Sequence, residues 1–197
     1  MKYTSYQYLW PPRPEHIIPP GLLKYYESLH WICQVKKNGT CLVLFCRRDE
    51  LIVQTRHGTP PKTWALTPTL RSALSGRFEA WTVLVGELLH HKGPHIKDTV
   101  YLFDLLVDSG RHLVGTTLAD RLDRLHTLFP QQVDCLSAGA YQTADHLWVA
   151  TTYLKGFYKL FNGLSMPEDE GLVLKDPRAE LGLCSRPGGS GQVKCRR

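Results

Sequence analysis

Two apolar-rich runs, residues 30–33 (His-Trp-Ile-Cys) and 42–45 (Leu-Val-Leu-Phe), flank the stretch Gln34-Val35-Lys36-Lys37-Asn38-Gly39. Asn-Gly between two such runs is a strong hairpin signal, because both residues tolerate positive φ. The chain is therefore expected to form β-structure here, with Lys36 at the end of a strand, in or beside a tight turn. Lys37 should point to the opposite face, by the two-residue period of a strand. A lysine so placed is a nucleophile where desolvation or a neighbouring cation favours its neutral form. The alternative is a surface hairpin with two solvated lysines.

The chain has 197 residues, enough for one large domain or two small ones with a real core. Its formal net charge of +6 suits an anionic partner such as nucleic acid or a nucleotide. None of the six cysteines forms a C-x-x-C pair, which argues against a zinc ribbon. Cys33, Cys41 and Cys46 sit in the apolar runs around Lys36, where a free thiol packs as a small hydrophobe. The reading is a reducing, intracellular compartment, whether cytoplasm or nucleus, or a virus-encoded protein. No stretch reaches the length of a membrane span, and the N-terminus lacks a secretory pattern.

Residues 1–21 form an expected arm. Pro11, Pro12, Pro14, Pro19 and Pro20 forbid regular structure there, while Tyr3, Tyr6, Tyr8 and Trp10 supply surface to pack on the body. Residues 22–197 read as a single domain. A short helix is expected at 21–29, then strands at 31–37, 41–47 and 51–56. A helix over 68–75 stops at Gly76. Strands follow at 78–89 and 99–107, helices at 117–129 and 150–161, and strands at 170–175 and 192–196. Leu154, Phe157, Tyr158 and Phe161 are the inward residues of the second of those helices. The fold class is α+β, with antiparallel sheets and flanking helices.

Further stretches add chemistry: Thr55-Arg56-His57-Gly58, Val85-Gly86-Glu87-Leu88, Tyr101-Leu102-Phe103-Asp104, Glu170-Gly171-Leu172-Val173-Leu174-Lys175 and Val193-Lys194-Cys195-Arg196. In order along the chain they supply what nucleotidyl transfer to a lysine needs. There is a nucleophile, an aromatic to stack on a base, a carboxylate for ribose, an acid for a divalent cation, and several cations to balance a triphosphate. His90, His91 and His95 match no standard metal spacing.

From Gln34 to Arg196 the sequence resembles the nucleotidyltransferase (ATP-grasp-like ligase) domain of ATP-dependent DNA and RNA ligases, which is related to mRNA capping enzymes. Lys36-Lys37-Asn38-Gly39 is similar to the K-x-D/N-G motif, Thr55-Arg56-His57-Gly58 to S/T-R-x-G, and Val85-Gly86-Glu87 to D-G-E. Tyr101-Leu102-Phe103-Asp104-Leu105-Leu106 resembles the F-D-L-L strand. Glu170 to Lys175 matches E-G-L-V-x-K, and Lys194-Cys195-Arg196 matches the closing K-x-K.

The resemblance implies that Lys36 takes AMP covalently from ATP. AMP then passes to a 5′-phosphate, and the neighbouring 3′-hydroxyl displaces it. It implies that Gln34, Arg56, Glu87, Phe103, Lys175, Lys194 and Arg196 bind nucleotide and that Glu170 binds or orients Mg²⁺ or Mn²⁺. The implied partner is nicked or broken nucleic acid. Lys175-Asp176-Pro177 and the helix after residue 106 look more like DNA ligases, so duplex DNA stands ahead of RNA.

Three departures stand out: Val85 in place of an acid, Cys41 where many relatives carry an arginine, and Gln192 where a tryptophan is usual. The resemblance ends at Arg196 without the OB-type barrel of relatives. The expectation is one adenylation domain without that module, a separate module being one way to replace it, and slow, strongly salt-sensitive sealing by this chain alone. The runners-up are an RNA ligase, a capping-type guanylyltransferase, and a non-catalytic nucleic-acid-binding module.

Overall fold

A computed structural model of the chain describes residues 9–91, 96–134, 139–183 and 190–197. In chain order the elements are β1 (His16–Ile17), α1 (Leu23–Ser28), β2 (Ile32–Lys37), β3 (Thr40–Arg47), β4 (Glu50–Thr55), α2 (Pro68–Leu74), β5 (Thr82–Leu89) and β6 (Thr99–Asp108). There follow β7 (Arg111–His112), α3 (Leu118–Leu128), β8 (Val133–Asp134), β9 (Ala140–Ala144), β10 (Leu147–Ala150), α4 (Phe157–Gly163), β11 (Asp169–Lys175) and β12 (Gln192–Arg196). The class is α+β, as expected. No helix among the described residues is long and apolar enough to cross a membrane.

The strands form two sheets. The smaller has the order β1-β12-β11-β2, and the larger runs β4-β3-β5-β6-β10-β9-β8, with β7 on β6. Most neighbours are antiparallel, but β1 on β12 and β10 on β6 are parallel. Each sheet has its own core. Leu42, Leu44, Leu84, Leu102, Leu105 and Phe129 centre the larger one, and Cys33, Val35, Phe157, Leu172, Leu174 and Cys195 the smaller.

The Asn38-Gly39 hairpin expectation is overturned. β2 pairs with β11 and β3 with β4 and β5, so the stretch carries the chain from one sheet to the other. Neither residue has positive φ. Gly39 is required by proximity instead, since a Cβ there would lie 2.2 Å from the Leu88 carbonyl oxygen on β5. A hairpin and a sheet-to-sheet crossing look alike locally, and only the partners of each strand tell them apart.

Other differences have equally local causes. The arm is not wholly irregular: His16 and Ile17 pair with Val193 and Lys194. The Glu15 N–H donates to the Gln192 carbonyl and the Ile18 N–H to that of Lys194, both at 2.9 Å. Proline forbids donation at its own position, and the residues between prolines are free to make this edge. Leu9 packs in the larger core and Ile18 in the smaller, so the segment spans both sheets. Tyr3, Tyr6 and Tyr8 lie outside the described residues. Trp10 is 39% exposed, more open than packing on the body implied.

The helix expected over 150–161 starts only at Phe157, after Gly156 at φ +79°. Residues 147–150 are a buried strand between β6 and β9, where tertiary pairing prevails over helical spacing. Phe157 is buried, but Leu154 and Tyr158 are exposed. The α3 helix is well specified: its Thr117 N-cap accepts the Asp120 N–H and donates to the Asp120 carboxylate, and Leu118, Leu122 and Leu125 are buried.

Gly39→Ala is expected to destabilise the fold by about 2 kcal/mol, because the methyl group meets backbone rather than a yielding side chain. Urea unfolding of the two proteins would measure it.

Candidate active site

One cleft of about 1080 Å³ collects every residue singled out above: Gln34, Lys36, Arg56, Glu87, Phe103, Glu170, Lys175, Lys194 and Arg196. The smaller sheet supplies one wall through β2, β11 and β12. The larger supplies the other through Cys41 on β3, Glu87 on β5, and Tyr101 and Phe103 on β6. Trp10 to Glu15 of the arm complete the lining.

At one end, Lys36 Nζ lies 2.5 Å from Glu170 Oε2, and Glu170 Oε1 is 2.7 Å from Arg196 Nε. Lys194 is next to this group. Its pKa is lowered first by burial, then by the positive charges of Arg196 and Lys36, with Arg56 adding to them. Two cations thus meet one carboxylate and two more lie near them, an excess of positive charge that makes this end a site for an anion. The exposed Arg56 is held at its backbone, where its N–H donates to the Cys41 carbonyl at 3.1 Å.

At the other end, Lys175 Nζ donates to Gln34 Oε1 at 2.5 Å and lies 5.1 Å from the centre of the Phe103 ring. The Gln34 amide nitrogen is 3.4 Å from Thr152 Oγ1. Burial holds the Lys175 pKa down to about 8, against an upward pull from Asp104 and a further downward push from Arg121. A flat ring, an amide and an ammonium group are suitable contacts for a nucleobase.

Glu87 accepts the Gly39 N–H at 3.0 Å, tying the crossing to β5. Asp104, beside Phe103, belongs to the core, paired with Arg121 at 2.9 and 3.1 Å. Burial pushes the Cys41 thiol up to about 12, so it stays neutral.

Two interactions were missed from the sequence. Lys37 does take the face opposite Lys36, as expected, but it meets a buried counter-charge there: its Nζ is 2.5 Å from Asp169 Oδ1, and both side chains are fully buried. The alternation Cys33, Val35, Lys37 along β2 marks Lys37 as facing inward. The Tyr101 hydroxyl on β6 donates towards the Val35 carbonyl, at 3.0 Å, linking the two sheets.

As for a metal, no group of three or more His, Cys, Asp or Glu side chains is placed to hold an ion among the described residues. Both oxygens of Glu170 already meet cations. This donor set fits a divalent cation brought in on a triphosphate, with Glu170 as its one protein carboxylate, and does not fit an all-protein cage. His90 Nδ1 pairs with Asp98 at 2.8 Å; His95 lies outside the described residues.

No family model matches the sequence, and no curated protein does. Solved structures do. The ligase domain of LigD from M. tuberculosis is 21% identical, with a TM-score of 0.68 over 98% of this chain and 61% of that one. A mycobacterial DNA ligase D complexed with ATP and MES gives 20% identity and a TM-score of 0.69 over 99% and 62%. The fold is therefore that of the ligase nucleotidyltransferase domain. The chain spans about three-fifths of the length of those solved chains.

A lysine whose pKa falls on folding costs stability while protonated, and the cost fades as pH rises from its folded to its unfolded value. Wild type should therefore gain on Lys175→Met between pH 8 and 10.5, by an amount on the order of 3 kcal/mol. Paired urea titrations across that range are the check, and a constant difference would contradict the assignment.

Proposed function

We propose that the chain is an ATP-dependent polynucleotide ligase that forms a lysyl-AMP intermediate and seals 5′-phosphate/3′-hydroxyl nicks in duplex DNA. The observation that carries this is the division of the cleft. Lys36, Arg56, Lys194 and Arg196 gather at one end, and Phe103, Gln34 and Lys175 bring a ring, an amide and an ammonium group together at the other. The fold shared with LigD ligase domains, one of them complexed with ATP, supports it.

In this reading Phe103 stacks on adenine, and Gln34 offers the polar contacts that favour it over guanine. Glu87 meets the ribose. Arg56, Lys194 and Arg196 neutralise the phosphates; Glu170 would hold Mg²⁺ or Mn²⁺, which would supply further charge neutralisation at the triphosphate. The neutral Lys36 amine attacks the α-phosphorus. A P–N bond forms, the bond to the pyrophosphate oxygen breaks, and pyrophosphate leaves with that electron pair. The attacking nitrogen is left with one proton too many, which passes to the Glu170 carboxylate beside it. AMP then passes to the 5′-phosphate of the nicked strand, and the 3′-hydroxyl displaces it. Cys41, lining the cleft where many relatives carry an arginine, is the ground for an RNA ligase as the second reading.

Incubation with labelled ATP and a divalent cation should leave label on the protein that survives denaturation and alkali and is released by acid, as a P–N bond requires, and EDTA should prevent it. GTP should give none; preferential labelling by GTP would point to a capping-type enzyme. Lys36→Ala should abolish labelling, and Lys194→Ala should slow it at least tenfold, on the order of what removing one transition-state cation costs. Labelled Lys36→Ala would refute the assignment. Comparing nicked duplex DNA with nicked RNA then decides the substrate.

A further inference from the structure

β11 does not keep one alternation along its length. Leu172 and Leu174 turn into the core of the smaller sheet, while Val173 and Lys175 line the cleft. Continued unbroken, that alternation would send Glu170 inward and Asp169 to the cleft. The opposite is found: Asp169 is fully buried and Glu170 lines the cleft. The inversion occurs at a register shift in which Asp169 faces Lys37 and Gly171 faces Lys36, leaving Glu170 as the extra residue of a β-bulge. Gly171 allows it, with φ at +142° and room for no side chain: a Cβ would lie 2.0 Å from the Cys195 carbonyl oxygen.

Opposite the bulge, β2 places Lys37 at an inward position. Its ammonium meets Asp169 at 2.5 Å, with the Tyr101 ring 5.9 Å away. Among the described residues the second Asp169 oxygen has no hydrogen-bond partner. A buried charge without its partner is strongly unfavourable. Asp169 reaches Lys37 only when it lies on the buried side, which is the bulged arrangement. Straightened, β11 would part Asp169 from Lys37 and bury Glu170 away from Lys36 and Arg196.

We propose that the Lys37–Asp169 pair is a positioning device that holds the β11 bulge and so aims Glu170 at Lys36. It rests on the reading of Lys36 as the nucleophile. Neither member touches the reacting atoms; both act through Glu170.

The test uses Lys37→Met, Asp169→Asn and the double variant, each checked by circular dichroism to be folded at the assay temperature. Single-turnover formation of lysyl-AMP at saturating ATP should fall about tenfold or more in each single variant, the size of effect a small misplacement produces, with the apparent KM for ATP within about threefold of wild type. The double should be no slower than the worse single, because the pair acts as a unit. It leaves no buried charge unpaired, so it remains the decisive variant if a single fails to fold.

Backbone amide exchange at residues 168–171 should quicken in all three. Wild-type rates in folded variants, or unchanged exchange there, would overturn the proposal. If wild type takes no label from ATP, the ligase reading fails, and the exchange measurement alone decides whether the pair holds the bulge.

Discussion

The cleft depends on how closely two sheets approach at one crossing. Gly39 passes so near β5 that even a methyl group would collide with the Leu88 carbonyl oxygen, and its N–H is taken by Glu87. The Tyr101 hydroxyl makes a second link, from β6 to the Val35 carbonyl on β2. With the sheets joined there, Lys36 at the end of β2 must face Glu87 and Phe103 across the gap. Loosening either link would let the walls move apart, with Ile32 of β2, packed in the larger core, as a remaining apolar tie between them.

Electrostatics then gives the cleft its character. Holding Lys36, Arg56, Lys194 and Arg196 together is unfavourable in itself, and the lowered pKa of Lys194 reflects both its burial and that repulsion. Glu170 offsets part of the charge by meeting two of the cations at once. Lys175 carries a separate cost, since its ammonium is buried against a ring and an amide with Asp104 as the charge that favours it. An anion entering the first end relieves the repulsion directly, so the arrangement favours an occupied cleft over an empty one.

Much of this was legible because functional side chains sit at strand ends, where short patterns such as Asn-Gly or Gly-Glu stand out between apolar runs. All nine residues expected at the site line one cleft. What the sequence could not disclose was partnership. Asn38-Gly39 reads equally as a hairpin and as a crossing. β10 was hidden inside an apparently helical pattern, since its burial comes from β6 and β9, distant in sequence. Lys37 was placed on the face opposite Lys36, but its burial could not be read, because the counter-charge that permits it, Asp169, is 132 positions away.

The proline-bearing segment from Leu9 to Ile18 has a mechanical meaning. Its two ends are rooted in different hydrophobic cores, and its later part is hydrogen-bonded along β12. A polypeptide can bend but cannot lengthen past its extended contour. The segment thus sets an upper limit on how far the sheets can part along that rim, as a check-strap does on a door. Past that limit, further widening is open only at the opposite rim.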